Sequence, residues 1–396
     1  GSLFDLVDLP SQPSRPSEPD GKPYRAAGAR VESAMSELLC AALEDPEYQR
    51  LRRVWQSLRF LLEAQGTSKQ IEIWVVPSSG DLDELSHALD QLESMDVDLV
   101  VYEAPFEACA RDAECLNFLG NWASSQNVPV VATLDASWFN RAAPSNYQPR
   151  LKLAESARPL FETLTRRESA RWLFLTANDL CEAEPLSGKV VRGGPECSQP
   201  RDRETSWAFI PAGIALSNLV LGSLARDGEP FFAENWGSAQ LRSRAVYELN
   251  TDLGTVAIGT RWFCSEEMAL DLGAIGISVL VPEKNRDRVR VVACPTAFRP
   301  ANAAGNQSRP AATLQDQMLA SRIVHLINSY RSRYQGDVES LRQRLLDGIH
   351  GLFPQSPPVG PIVSVTEQTG SLLIEVEPRR YGQLAIDQLS LSIPIR

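Results

Sequence analysis

Three kinds of residue in this chain could do chemistry, and their spacing decides which chemistry is open to them. Only three histidines are present, His87, His325 and His350. Histidine moves protons near neutral pH and is the commonest metal ligand. None of the three sits in a metal-ligand pattern with a cysteine, an aspartate or a second histidine. His87 falls beside Glu84 on the polar side of a helix, and His325 lies within another. His350 lies at a helix C-terminus, where a cation suits the dipole. Paired carboxylates are the second kind, because two acids can share general acid–base work on a glycosidic bond. The pairs here are Asp81 with Asp83 and Glu266 with Glu267. Each pair opens a helix, a place where negative charge is favoured on its own account.

The third kind is the loop "RGGPEC" at 192–197, which has the glycines and cation of an anion cradle but reads first as a solvated loop. Seven cysteines, Cys40, Cys109, Cys115, Cys181, Cys197, Cys264 and Cys294, are scattered, odd in number and without a CxxC pair. That usage suits reduced structural thiols in a cytosolic protein. There is no GxSxG elbow, phosphate-binding P-loop, GxGxxG after a strand or HExxH. The basic pairs Arg52-Arg53, Arg166-Arg167 and Arg379-Arg380 are isolated, which suits solvated faces or interface salt bridges. These observations predict no catalytic residues, no cofactor and no metal. The rival class is a soluble α/β hydrolase-like enzyme working through acids, and converging carboxylates with perturbed pKa would mark it.

Composition narrows the partners. The chain has 396 residues, 43% of them hydrophobic, with a net charge of −11. Nucleic acid as a main partner would need clustered Lys and Arg. No apolar run approaches the roughly 20 residues that span a bilayer, and no signal peptide opens the sequence. The expectation is a cytoplasmic protein that neither inserts into membranes nor binds nucleic acid.

The elements that must position any site follow from periodicity. Residues 31–43 predict an amphipathic helix. In the next one Asp45 is the N-cap and Pro46 the first helical residue. Leu51, Val54, Trp55, Leu58, Leu61 and Leu62 then recur as a helix face, with Arg50, Arg52, Arg53, Gln56, Arg59 and Glu63 opposite. Gly66 stops it. Ile71, Ile73, Val75 and Val76 read as a buried strand, 81–92 as a helix, and 97–101 as a strand. A helix over 107–126 and strands over 127–135 and 170–181 continue the alternation, which argues for a largely parallel sheet. Residues 182–205 read as an irregular, exposed loop, and 207–226 as a core helix. A short helix at 266–272 and a hairpin turning at 283–288 follow. Two amphipathic helices over 314–334 and 337–352 precede the C-terminal strands. The predicted class is mixed α/β, a largely parallel sheet core flanked by helices, with a C-terminal strand pair suited to strand exchange between subunits. The predicted divisions are a Pro/Ser-rich tail at 1–30, an α/β lobe at 31–181, a second lobe at 182–300, and a helical pair with strands at 301–396.

Several stretches, in order, carry a resemblance. "DPEYQRLRRVWQSLRFLL" resembles the "HPDFQRLEATWRGLHYLV"-type signature of the large sheath subunit of type VI secretion systems (the TssC/VipB family). "KQIEIWVVPSSGDLDELSHALD" is similar to that family's strand followed by a "VSKDELLKDLE"-type helix. "VDLVVYEAPFE" stands where the family has a "GLLIGDYEF"-type strand, with Tyr102-Glu103-Ala104-Pro105-Phe106 altering its turn. "LNFLGNWASSQNVPVVATLDASWF", "ESARWLFLTANDLC" and "ALDLGAIGISVLVPEKNRDRVRVVACPTAFRP" have counterparts in the same order, as does the tail "VEPRRYGQLAIDQLSLSIPIR". The likeness covers 31–396 and is poor over 182–250; the chain is also shorter than the usual large subunit.

The resemblance implies a divergent sheath protein without catalysis. Its partners would be a small sheath subunit, neighbouring sheath subunits and an inner tube protein. It also implies subunits linked by exchanged terminal strands, and an open strand edge is a physical template for such pairing. The interface residues expected on this basis are Ile386, Leu389, Leu391 and Ile393 in the last strand. Leu3, Phe4, Leu6 and Val7 are expected for docking of the N-terminal tail. The alternative within the resemblance is a sheath-like paralogue that acts as a non-polymerising adaptor or regulator.

Overall fold

The computed structural model describes residues 22–66, 71–78, 81–93, 95–140, 151–189, 196–227, 240–251, 254–300, 312–333, 337–352, 362–368, 371–377 and 388–394. The described helices are α1 (Lys22–Glu44), α2 (Pro46–Gln65), α3 (Leu82–Leu92), α4 (Ala110–Gln126), α5 (Arg158–Thr165), α6 (Ala212–Asp227), α7 (Glu266–Ala274), α8 (Leu314–Arg333) and α9 (Val338–Gly351). The strands of the first half are β1 (Val100–Val101), β2 (Val130–Thr133), β3 (Phe139–Asn140), β4 (Lys152–Leu153), β5 (Leu173–Ala177), β6 (Leu180–Ala183), β7 (Ser187–Lys189), β8 (Glu196–Ser198) and β9 (Ala208–Ile210). Those of the second half are β10 (Gln240–Arg242), β11 (Tyr247–Thr251), β12 (Gly254–Ile258), β13 (Ile277–Pro282), β14 (Arg288–Val291), β15 (Ile362–Gln368), β16 (Ser371–Glu377) and β17 (Leu389–Pro394).

The chain forms two compact units. One joins Gly1–Leu51 to Pro185–Ser206. In it α1 packs on β8, which pairs antiparallel with β7. Leu43 is buried on α1's inner side, and Ser36, Leu39 and Cys40 are half-buried. The helix begins at Lys22, within the stretch read as a tail. Residues 187–189 and 196–198, read as irregular and exposed, form this hairpin instead, and Cys197 and Gln199 are buried there. Gly and Pro abound in the segment, and those turn signals mask two strands of three residues each.

The other unit joins Arg52–Glu184 to Trp207–Arg396. Its centre is a six-stranded sheet in the order β1-β2-β5-β13-β14-β10. The pairs β1–β2, β2–β5 and β5–β13 are parallel, and β13–β14 and β14–β10 are antiparallel. This is the predicted mixed, largely parallel core. Every residue of β2, β5 and β13 is buried, as expected of strands covered on both faces. One face carries Leu116 and Leu119 of α4, both fully buried, and the other carries Ile214, Leu216 and Val220 of α6.

Two strand expectations are corrected. The strand expected over 170–181 breaks in two at Asn178, which has a left-handed φ of 74°. Its buried amide holds the break open, donating to Leu280 O (2.7 Å) and Trp262 O (2.9 Å) and accepting from Trp262 N (2.8 Å). Residues 71–78 form no strand. Ile71 is buried there, but Trp74 and Val75 are 64% and 65% exposed. The period-2 signal is present in that segment, yet a ladder needs a partner, and β1 pairs only with β2 among the described residues.

The C-terminal sheet has three strands, β15-β16-β17, rather than a pair. Both pairings are antiparallel. α8 and α9 cover one face through Leu319, Ile323, Ile327, Leu345 and Ile349.

Candidate interface

α2 carries exposed apolar residues on one side and a polar anchor on the other. Asp45 caps it as expected, its carboxylate accepting from Glu47 N (3.0 Å) and Tyr48 N (3.1 Å). Gly66 ends it with φ +55°. The expected apolar face is Leu51, Val54, Trp55, Leu58, Leu61 and Leu62, and the structure covers only part of it. In the unit that begins at Arg52, Trp55 and Leu62 are 68% and 47% exposed; Leu51, in the other unit, is 47% exposed. Val54, Leu58 and Leu61 are half-buried.

A polar anchor holds the inward side. Glu103 follows β1 and is mostly covered. Arg53 Nε donates to Glu103 Oε1 at 3.0 Å, and Ser57 Oγ donates to the same oxygen at 3.3 Å. A carboxylate removed from water gains more from such a charge-assisted bond than an exposed pair would. Next along the helix, Phe60 is buried in the cluster under α6, and Asn218 Nδ2 of α6 donates to Phe60 O at 2.7 Å. At the end of the same side, Arg244 bonds Glu63 and, at 2.9 Å, the buried Glu182. Sequence reasoning left Arg52-Arg53 as a solvated face or an interface salt bridge; Arg53 pairs within the chain, and Arg50 and Arg59 stay exposed. The available signal was the acid Glu103 directly after an apolar strand, which needs a cation.

Apolar side chains also point outward elsewhere. In its own unit, α1 exposes Val31, Met35 and Leu38 at 57%, 49% and 71%, one stripe at i, i+4, i+7. Contiguous exposed apolar surface of this kind marks interaction sites.

Of the residues expected at subunit contacts, Leu3, Phe4, Leu6, Val7 and Ile386 lie outside the described residues, as does most of the "RGGPEC" loop. Leu389, Leu391 and Ile393 stand opposite Val376, Ile374 and Leu372 across the β16–β17 ladder. Their side chains join this chain's own cluster with α8 and α9, and Ile393 is 9% exposed. Among the described residues β17 pairs with β16 alone.

The catalytic candidates stay apart. His87 and His350 are exposed on α3 and α9, and His325 Nε2 lies 3.4 Å from Gln126 O. Asp81 caps α3 and Ser265 caps α7 ahead of Glu266, which meets Arg290 at 2.9 Å. The carboxyl ends of parallel strands are where α/β sheets usually bind ligands, and here the chain fills that place itself. Asp179, after β5, accepts from Ala212 N at the start of α6 (3.1 Å) and faces Arg261 (3.4 Å). Gly213 N donates to Thr133 Oγ1 at 2.9 Å. Burial pushes the carboxyls of Asp179 and Glu182 up from their ordinary range, opposed by Arg261 and Arg244. Each therefore has its own arginine instead of a shared site. No group of three or more His, Cys, Asp and Glu side chains could hold a metal among the described residues. No described helix is long and apolar enough to cross a membrane.

No family model matches the chain, and no curated protein matches it in sequence. Among solved structures it is similar to a chain of the anti-feeding prophage baseplate, determined by cryo-EM, with a TM-score of 0.45 and 10% identity over 86% of this chain and 76% of that one. It is also similar to the sheath tail protein Lin1278 from Listeria innocua, with a TM-score of 0.38 and 10% identity over 80% of this chain and 60% of that one.

Proposed function

We propose that this chain is a structural subunit of a contractile sheath of the type VI kind, a divergent large subunit that docks a small sheath subunit on the outer face of α2. One observation carries the reading: the helix whose sequence resembles the family signature turns Arg53 and Ser57 inward and leaves Trp55 and Leu62 exposed. A monomer gains nothing by holding Trp55 in water, and a fully buried aromatic anchor is the commonest kind of interface hot spot. The edge of β17 away from β16, unpaired among the described residues, supplies the second contact, a strand pairing with a neighbouring copy. Repeated head-to-tail contacts of this sort do not close, and they build tubes, here around an inner tube protein. The protein acts in the cytoplasm, without catalysis, cofactor, nucleic acid or membrane insertion.

The inward packing of Leu389, Leu391 and Ile393 favours a second reading, an adaptor that captures the small subunit and does not polymerise. Co-expression with candidate small sheath subunits from the same genome, followed by size exclusion and negative-stain microscopy, separates the two. Tubes support the sheath subunit, and a stable complex without tubes supports the adaptor. In either case Trp55→Asp is expected to abolish the complex. A monomer with no partner overturns both.

A further inference from the structure

Within the unit formed by Gly1–Leu51 and Pro185–Ser206, two cysteines far apart in sequence face one another. Cys197 is the middle residue of β8 and is fully buried. Its cross-strand neighbour on β7 is Gly188, so no side chain fills the hairpin surface opposite the thiol. α1 packs on β8, and Cys40 lies on the inner side of α1 with Ser36, Leu39 and Leu43, at the i, i+3, i+4, i+7 spacing of one helix face. The two side chains lie near enough for Cys40 to raise the Cys197 thiol's pKa. Both thiols are free in this structure.

We propose that Cys40 and Cys197 are a redox modification site, forming a reversible disulfide that locks α1 onto the β7–β8 hairpin when a low-molecular-weight disulfide such as oxidised glutathione is present. The order of events follows from burial. Loss of solvation holds the Cys197 thiol up at about 11, and its contact with Cys40 adds to this. The thiolate is the nucleophile in exchange, so the half-buried Cys40 attacks first. Its thiolate bonds to one sulfur of glutathione disulfide, and one glutathione thiolate leaves. Cys197 then gives up its proton to solvent and attacks the Cys40 sulfur, expelling the second glutathione. Two protein thiols are oxidised, and one glutathione disulfide is reduced to two thiols. The lock holds the end of α1 against the hairpin while its opposite side carries Val31, Met35 and Leu38.

The test is peptide mapping of the full chain, alkylated without reduction after incubation in oxidised glutathione. The expected product is a Cys40–Cys197 peptide pair lighter by two hydrogens, reversed by dithiothreitol. Cys197→Ser should stop at a single glutathione adduct on Cys40, and Cys40→Ser should leave Cys197 unmodified. The wild-type map is read independently of how either variant folds. Wild type without the Cys40–Cys197 pair, Cys40 linked between two copies, or Cys197 modified in folded Cys40→Ser would each overturn the proposal.

Discussion

α2 and α6 touch through Asn218 and share one apolar cluster, yet they meet water in opposite ways. None of the residues from Ala212 to Ala225 in α6 is exposed. Gly213 lets that helix lie flat on the sheet, since a Cβ there would come within 3.0 Å of Thr133 Oγ1 and 3.1 Å of Val131 Cγ1. α2 buries Ser57 and Phe60 and leaves Trp55 and Leu62 exposed. A helix apolar on all sides has one place to go, the core. A helix with two distinct faces can turn either way, and the choice falls to whichever side finds a partner. For α2 the partner is a carboxylate, Glu103, and the apolar side is left for another molecule.

If that contrast is right, the largest loss of stability belongs to α6. Leu216 is 1% exposed, and Leu216→Ala is expected to cost about 2–5 kcal/mol through lost transfer energy and a cavity. Urea unfolding of the isolated chain measures it. A loss under 1 kcal/mol would mean that α6 is not the core element described.

Glu103→Ala tests the anchor beneath α2. It strips Arg53 and Ser57 of their shared acceptor, and hydrogen bonds to charged groups are worth about 1.5–3 kcal/mol. Arg53 keeps some solvent contact, which puts the expected cost at the lower end of that range. Hydrogen exchange should show α2 amides opening more readily while α6 amides stay protected. Equal loosening of both helices would break the contrast.

The cap of α6 carries a pH signature of its own. Asp179's folded pKa lies above its unfolded value because burial disfavours the charged form. Its contribution is therefore fully present below the unfolded pKa and is lost as pH rises through the folded one. Asp179→Asn keeps an oxygen for Ala212 N and removes the ionisation. Stability should consequently depend less on pH above the ordinary aspartate range than in wild type. A steeper dependence in the variant would contradict the assignment.

Much of this arrangement was readable before any coordinates. The Asp45 cap and the Pro46 start, the hairpin of β13 and β14, and α4, α8 and α9 all rest on local signals: capping residues, a charged turn, a 3.6-residue period. The rest depends on contacts remote in sequence. Asn178 breaks a strand because carbonyls 84 and 102 residues away claim its amide. Residues 71–78 keep a strand pattern that finds no ladder. The apolar residues of β17 fit a contact between subunits equally well as a sequence, and they pack under this chain's own α8 and α9. For the candidate interface, periodicity located the apolar stripe of α2 and left its covering open, because spacing records that a face exists and carries no information about what covers it.

The smallest expected effect is the most informative. Trp55→Ser removes a large side chain that is 68% exposed. Surface changes away from caps, networks and cores usually stay within about 0.5 kcal/mol, so the isolated chain should unfold at nearly the same urea concentration as wild type. A core tryptophan at the same helical position would cost about 3–5 kcal/mol when truncated to alanine, a difference too large to miss. The two residues therefore exchange ranks with the assay. Leu216→Ala dominates unfolding of the monomer, whereas Trp55→Ser dominates capture of a partner, where loss of a central aromatic anchor costs 2 kcal/mol or more, roughly thirtyfold in affinity. If Trp55→Ser instead destabilised the monomer as strongly as Leu216→Ala, α2 would be an ordinary core helix with its apolar side inward, and the docking face proposed for it would disappear.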